Sequence, residues 1–297
     1  MKRILLIFLM SLTSFSLFLF SQQERFLLSP SGIEIKLNLK QNTPGGMIKI
    51  SIEDREKVES CAISFLGRKY FMGKDSGLGN FISLIGLDLA LKEGSYPIEI
   101  FLKPSGRNWE HISTEIQVGE RLFPEKRLWV EERFVTPPPE VQERIEMEAA
   151  MLRTIFLIFS PSWLGEGEFI LPCKGKLVEN FGERRIFNNK PRSPHSGVDI
   201  TAPVGTVVLA SNSGKVVLSS ELYFAGKTVI IDHGLGLFTL YCHFSRLRVR
   251  RGDLVKKGEV IGEVGATGRV TGAHLHWGAR VLESRIDPVL LLEFFKD

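Results

Sequence analysis

Five residues in the C-terminal third of the chain have the types and spacing of a metal site. Pro194-His195-Ser196-Gly197-Val198-Asp199 offers an imidazole and a carboxylate, and Gly272-Ala273-His274-Leu275-His276-Trp277 offers a His-x-His pair. Tyr241-Cys242-His243 lies between them. On a strand, residues i and i+2 project to one face about 7 Å apart. His274 and His276 can therefore serve one centre, with Leu275 and Trp277 turned the other way. Either both bind the metal, or one binds it while the other stands beside its water. His195 and Asp199 would be about 13 Å apart on a straight strand, too far to share an ion. They converge only if the chain bends, which Gly197 permits. Two imidazoles and a carboxylate with one open position is the pattern of a catalytic rather than a structural zinc. His233, beside a turn glycine, and His111, on a strand, read as structural or exposed.

The elements that must position these residues are mainly β. From 165 to 297 short Val/Ile runs alternate with glycine turns, as in an antiparallel β domain. Residues 24–120 show period-two alternation, as in Ile33, Ile35, Leu37 and Leu39, over about seven strands. That spacing suggests an immunoglobulin-like sandwich. Between the two, residues 121–164 read as an extended connector, a Pro137-Pro138-Pro139 break and a helix from Glu140 to about Ser160. Val141, Ile145, Leu152, Ile155 and Phe156 share its apolar face, as expected of a helix bridging two domains.

Met1-Lys2-Arg3 followed by an apolar run to Phe20 marks residues 1–21 as an export signal or a short inner-membrane anchor. Cys61, Cys173 and Cys242 are scattered and odd in number, so they imply no disulfide framework. A net charge of +4 on 297 residues argues against nucleic-acid binding.

His195-x-x-x-Asp199, Tyr241-x-His243 and His274-x-His276 together resemble the lysostaphin/LytM-type zinc metallopeptidases that cut peptidoglycan (peptidase family M twenty-three). The resemblance covers about residues 168 to 292. It implies a duplicated-hybrid-motif β domain, one Zn²⁺ per chain, and His195, Asp199 and His276 as its ligands. His243 and His274 would be the catalytic histidines. It further implies a periplasmic or cell-envelope endopeptidase acting on peptide stems. Two alternatives stand beside it: a non-catalytic wall-binding activator of an amidase, and a zinc peptidase acting on another exported peptide.

Overall fold

The structure, a computed structural model, describes residues 24–53, 57–74 and 80–296. The export segment at 1–21 lies outside the described residues. No described helix is long and apolar enough to cross a membrane.

Among the described residues, nine strands make the N-terminal region: β1 (Glu24–Leu28), β2 (Glu34–Asn38), β3 (Met47–Ile52), β4 (Val58–Phe65), β5 (Arg68–Phe71), β6 (Gly73–Lys74), β7 (Phe81–Gly86), β8 (Gly94–Pro104) and β9 (Glu110–Val118). They form two antiparallel sheets, ordered β1-β2-β3-β7-β6 and β5-β4-β8-β9. The alternation visible in the sequence is the reason they pack face to face. Ile35, Leu37, Ile48, Ile50, Ile63, Ile98 and Ile100 all turn inward and are fully buried.

The segment after the sandwich departs from a plain connector. Residues Glu125–Leu128 form β10, which pairs in parallel with β12 (Arg184–Phe187), so the linker joins the C-terminal region. The helix, α1, runs Gln142–Ile155 after a 3-10 turn at Pro139–Val141. Its C-terminal end buries Ile155 and Phe156 against Leu218, Leu222, Ile230 and Phe238. Thus α1 lies on the face of the C-terminal sheet that also carries His274 and His276, with Arg280 of β21 over the Phe156 ring.

That sheet contains β11 (Lys176–Val178), β14 (Gly197–Thr201), β15 (Val207–Leu209), β16 (Gly214–Leu222), β17 (Gly226–Asp232), β18 (Leu237–Leu247), β19 (Leu254–Val255), β20 (Val260–Val264), β21 (His274–Val281) and β22 (Ser284–Ile286). Its main path is β11-β14-β21-β18-β17-β16-β19, while β13 (Lys190–Pro191) pairs with β12 in the small sheet beside it. A four-residue helix, α2 (Leu291–Phe294), closes the chain.

The sandwich and the C-terminal sheet share one apolar cluster. Leu237, Val281, Ile286 and Leu291 pack with the sandwich interior. Asp88 clamps Arg285 at this join, with its two carboxylate oxygens accepting at 2.9 and 2.6 Å. Burying an apolar side chain contributes roughly 1.5–3 kcal/mol, so this shared core holds the two regions far more firmly than the linker alone would.

Candidate metal centre

The site sits where β14, β21 and β18 run side by side. In the β14–β21 pairing, Asp199 stands opposite His276 and Thr201 opposite His274. Directly opposed side chains lie within about 5.5 Å at Cβ, so register alone brings the Asp199 carboxylate to the His276 ring. Leu275 and Trp277 alternate into the core, both fully buried.

His195 precedes β14 in irregular chain. Its backbone is clamped by Gly182 N donating to His195 O at 2.8 Å and His195 N donating to Glu183 O at 2.9 Å. The bend that folds His195 back over Asp199 therefore lies before Gly197, and Gly197 itself is not in the left-handed region. Gly197 is needed for another reason. A Cβ there would lie 2.4 Å from Trp277 O and 2.8 Å from the His276 ring. The absence of a side chain lets β14 approach β21 closely enough to form the site.

Three donor atoms converge. His195 Nε2 lies 3.1 Å and His276 Nδ1 3.3 Å from Asp199 Oδ1, and the two nitrogens are 2.8 Å apart. His195, Asp199 and His276 each offer one ligand atom within a mutual span of 4.8 Å. This nitrogen, nitrogen, oxygen set fits a divalent transition metal of the zinc type.

Backbone and side-chain partners set which atoms are free. His195 Nδ1 donates to Asn180 O at 3.0 Å, which leaves the Nε2 lone pair for the centre. Asn180 also donates its Nδ2 to Asp199 Oδ2 at 2.8 Å and accepts from Asp199 N at 3.1 Å. Arg185 Nη2 reaches the same Oδ2 at 2.9 Å, so Oδ1 alone faces the imidazoles. Burial by itself would raise the Asp199 carboxyl. The His195 and His276 side chains that face it outweigh that and hold it well below the carboxylate range. Burial lowers both His195 and His276, against the pull of Asp199.

His243 and His274 flank this group. Their ring centroids are 4.9 Å apart, and His243 is 6.1 Å from His276. His274 Nδ1 donates to Gly272 O and His243 Nδ1 to Thr267 O, each at 2.8 Å. Backbone carbonyls only accept, so both rings carry a proton on Nδ1, and Nε2 is the nitrogen turned away from the backbone. His274 Nε2 lies 3.6 Å from Asp199 Oδ1. Burial first, then the neighbouring His274 and His276, push His243 down to about 3, so it is neutral.

His243 reaches the cleft by irregular backbone. Cys242 stands in register with His276, so regular alternation would turn His243 toward the core face of Tyr241. A left-handed backbone at His243, φ 67°, and the register shifts beside it turn the ring to the cleft instead. A β residue in this region costs about 1–3 kcal/mol and persists where its surroundings hold it. Cys242 is a buried thiol that burial pushes up to about 12, and neither it nor Tyr241 lines the cleft. His233 is satisfied within the core, and His111 is exposed beside Glu99 and Phe101.

The cleft encloses about 290 Å³. Asp199, His243 and His274 line one side, and Lys126, Leu128 and Val130 from the linker line another. Asn180, Arg185, Arg269 and β10 carry no spacing signature of the kind the histidines do. The Asn180-Phe181-Gly182 turn reads as loop punctuation until the fold places it beside the ligands.

A His/Asp/His donor set between two further imidazoles, on an antiparallel sheet, defines the metallopeptidase class. Residues 193–288 match peptidase family M23. A crystal structure from Pseudomonas aeruginosa, described as a peptidase M23 candidate, superposes with a TM-score of 0.65 at 30% identity, over 85% of this chain and 95% of that one. The chain belongs to peptidase family M23. It is 42% identical over 105 residues to the peptidoglycan DD-endopeptidase ShyA of Vibrio cholerae, which is 35% of this chain and 24% of that protein. It is 44% identical over 95 residues to the DD-carboxypeptidase/endopeptidase Mpg of Neisseria meningitidis, 32% of this chain and 22% of that protein. The chain thus spans about a quarter of the length of the curated relatives it matches.

Proposed function

We propose that the protein is a zinc-dependent endopeptidase that hydrolyses peptide cross-links of peptidoglycan in the cell envelope. The observation that carries this reading is the convergence of His195 Nε2, Asp199 Oδ1 and His276 Nδ1 beside two further imidazoles whose Nδ1 atoms are tied to backbone carbonyls. The family and the names of the Vibrio and Neisseria relatives support peptidoglycan as substrate; D-Ala to diaminopimelate cross-links are the first bonds to test and glycine-containing bridges the second.

In this reading His195, Asp199 and His276 hold the ion. Zinc, when bound, polarises a peptide carbonyl and acidifies water. His243 and His274 divide two tasks at their Nε2 atoms: accepting a proton from the attacking water, and stabilising the oxyanion once protonated. Their Nδ1 bonds to Thr267 O and Gly272 O keep the rings oriented for both. Asn180 and Arg185 orient the Asp199 carboxylate, and Asn180 O holds His195.

We further propose that residues 24–120 are an immunoglobulin-like module, as the two sheet orders support, followed by a linker and helix at 121–164 and the peptidase region at 165–297. Residues 1–21 would deliver the chain to the envelope. The test is incubation of residues 22–297 with purified peptidoglycan, with and without a chelator, and mass spectrometry of the released fragments. Chelator-sensitive release of cleaved cross-links is expected. Intact cross-links would remove the endopeptidase reading.

A further inference from the structure

The cleft carries cations that its own acids do not neutralise. Arg185, Arg269 and Lys126 line it, and Asp199 is the one carboxylate among the lining residues. Arg185 is already engaged, donating to Asp199 Oδ2 at 2.9 Å and to Glu183 Oε1 at 3.4 Å. Arg269 is not. Among the described residues its guanidinium has no hydrogen-bond acceptor and no carboxylate partner. It is held instead between two aromatic rings, with Cζ 4.8 Å from the centroids of both Phe187 and Phe224. Burial, together with the nearby Arg185 and Arg192, lowers it to about 10, which still leaves it charged at neutral pH. A half-buried cation without an anion is unfavourable, and a bound carboxylate relieves that.

The position of Arg269 is fixed relative to the site. Its backbone N donates to Phe224 O at 2.8 Å. The preceding Gly268, φ +75°, packs so closely that a Cβ would lie 2.4 Å from Gly226 N. Thr267, one residue further back, is the acceptor for His243 Nδ1. The loop that orients one of the two flanking histidines therefore also presents the unpaired guanidinium. The planar fork of arginine suits a carboxylate bidentately.

We propose that Arg269 is a specificity-determining residue that anchors a free carboxylate of the peptide stem in the cleft. This rests on the endopeptidase reading above. The occupant is an acidic peptide, and the carboxylate belongs to a part of it away from the bond being cut.

The test uses the full zinc-loaded protein and two cross-linked peptides that differ only in whether the stem carboxyls are free or amidated. Wild type cleaves the free acid with kcat/KM about 10- to 100-fold above the amide. Arg269→Gln removes that preference through KM and cleaves the amide at the wild-type rate. Arg269→Lys, which keeps the charge but loses the fork, restores part of it. Equal loss on both peptides would mean a structural role and overturns the proposal, as does a preference that survives in R269Q. Should R269Q melt early, the Lys variant provides the same comparison, with a reduced preference expected and an unchanged one overturning. Cleavage of neither peptide by wild type removes the function reading itself, and this subsite with it.

Discussion

His233 and His195 are both sunk in the C-terminal region, 0% and 5% exposed, and burial lowers the basicity of both. They differ in what their nitrogens meet. His233 finds a partner at each end within the core, Nδ1 to Ser213 O at 2.8 Å and Nε2 to Thr239 Oγ1 at 2.7 Å. His195 has one nitrogen tied to a carbonyl and the other aimed at a point shared with Asp199 and His276. A structural histidine closes its hydrogen bonds locally. A ligand histidine uses one bond to orient the other nitrogen outward, and that accounting separates the two where burial does not.

The largest effect should come from emptying the shared point. Asp199→Ala removes the only oxygen donor of the three. We expect loss of bound zinc, measured by elemental analysis, and at least about a 1000-fold fall in peptidoglycan cleavage. If the variant keeps its metal and its rate, the distinction between the two histidine environments loses its functional meaning.

Next are the flanking imidazoles. His274→Ala and His243→Ala should each lower turnover by about 100- to 10,000-fold with zinc retained. Zinc lost from the His274 variant would make His274 a ligand and reverse its assignment with His276.

A smaller effect tests the orienting bonds. Asn180→Ala leaves all three ligands in place but removes the Nδ2 donor to Asp199 and the acceptor for Asp199 N. Zinc affinity should fall about 10- to 100-fold, with activity recovered at saturating metal. No recovery would indicate that Asn180 acts in chemistry rather than in orientation.

The smallest change in activity is expected at His233, where the readout is stability. Its folded value is lowered to about 4 from 6.5. Below pH 6.5 the unfolded chain takes up a proton that the folded chain refuses. Stability is therefore lost as pH falls from 6.5 toward 4, by up to about 3 kcal/mol. Denaturant unfolding of His233→Gln should show a shallower loss over this window than wild type, with cleavage per folded molecule unchanged at pH 7. Equal slopes would show that His233 is not the titrating group.

Much of the centre is legible in the residues because strand period and register are simple. His274 and His276 share a face and Leu275 and Trp277 turn inward for the same reason. What the pattern does not reveal comes from backbone irregularity and from chain remote in sequence. The bend near His195 precedes Gly197, whose role is close approach to β21. His243 faces the cleft only because its φ is positive, which no alternation rule signals. Residues 125–128 carry Glu125-Lys126-Arg127-Leu128, too polar to announce a strand, and become one because Arg184–Phe187 offers an open edge.

That edge pairing has a practical consequence for where the molecule can be cut. The family match begins at 193, yet Lys126, Leu128 and Val130 supply part of the cleft's lining. A fragment beginning at 165 would keep His195, Asp199 and His276 and both flanking histidines while leaving β12 with a bare edge and the groove open on one side. The smallest piece that keeps the groove begins upstream of Glu125. Exchanging residues 193–288 alone would separate the candidate metal centre from the part of its cleft that Lys126, Leu128 and Val130 line.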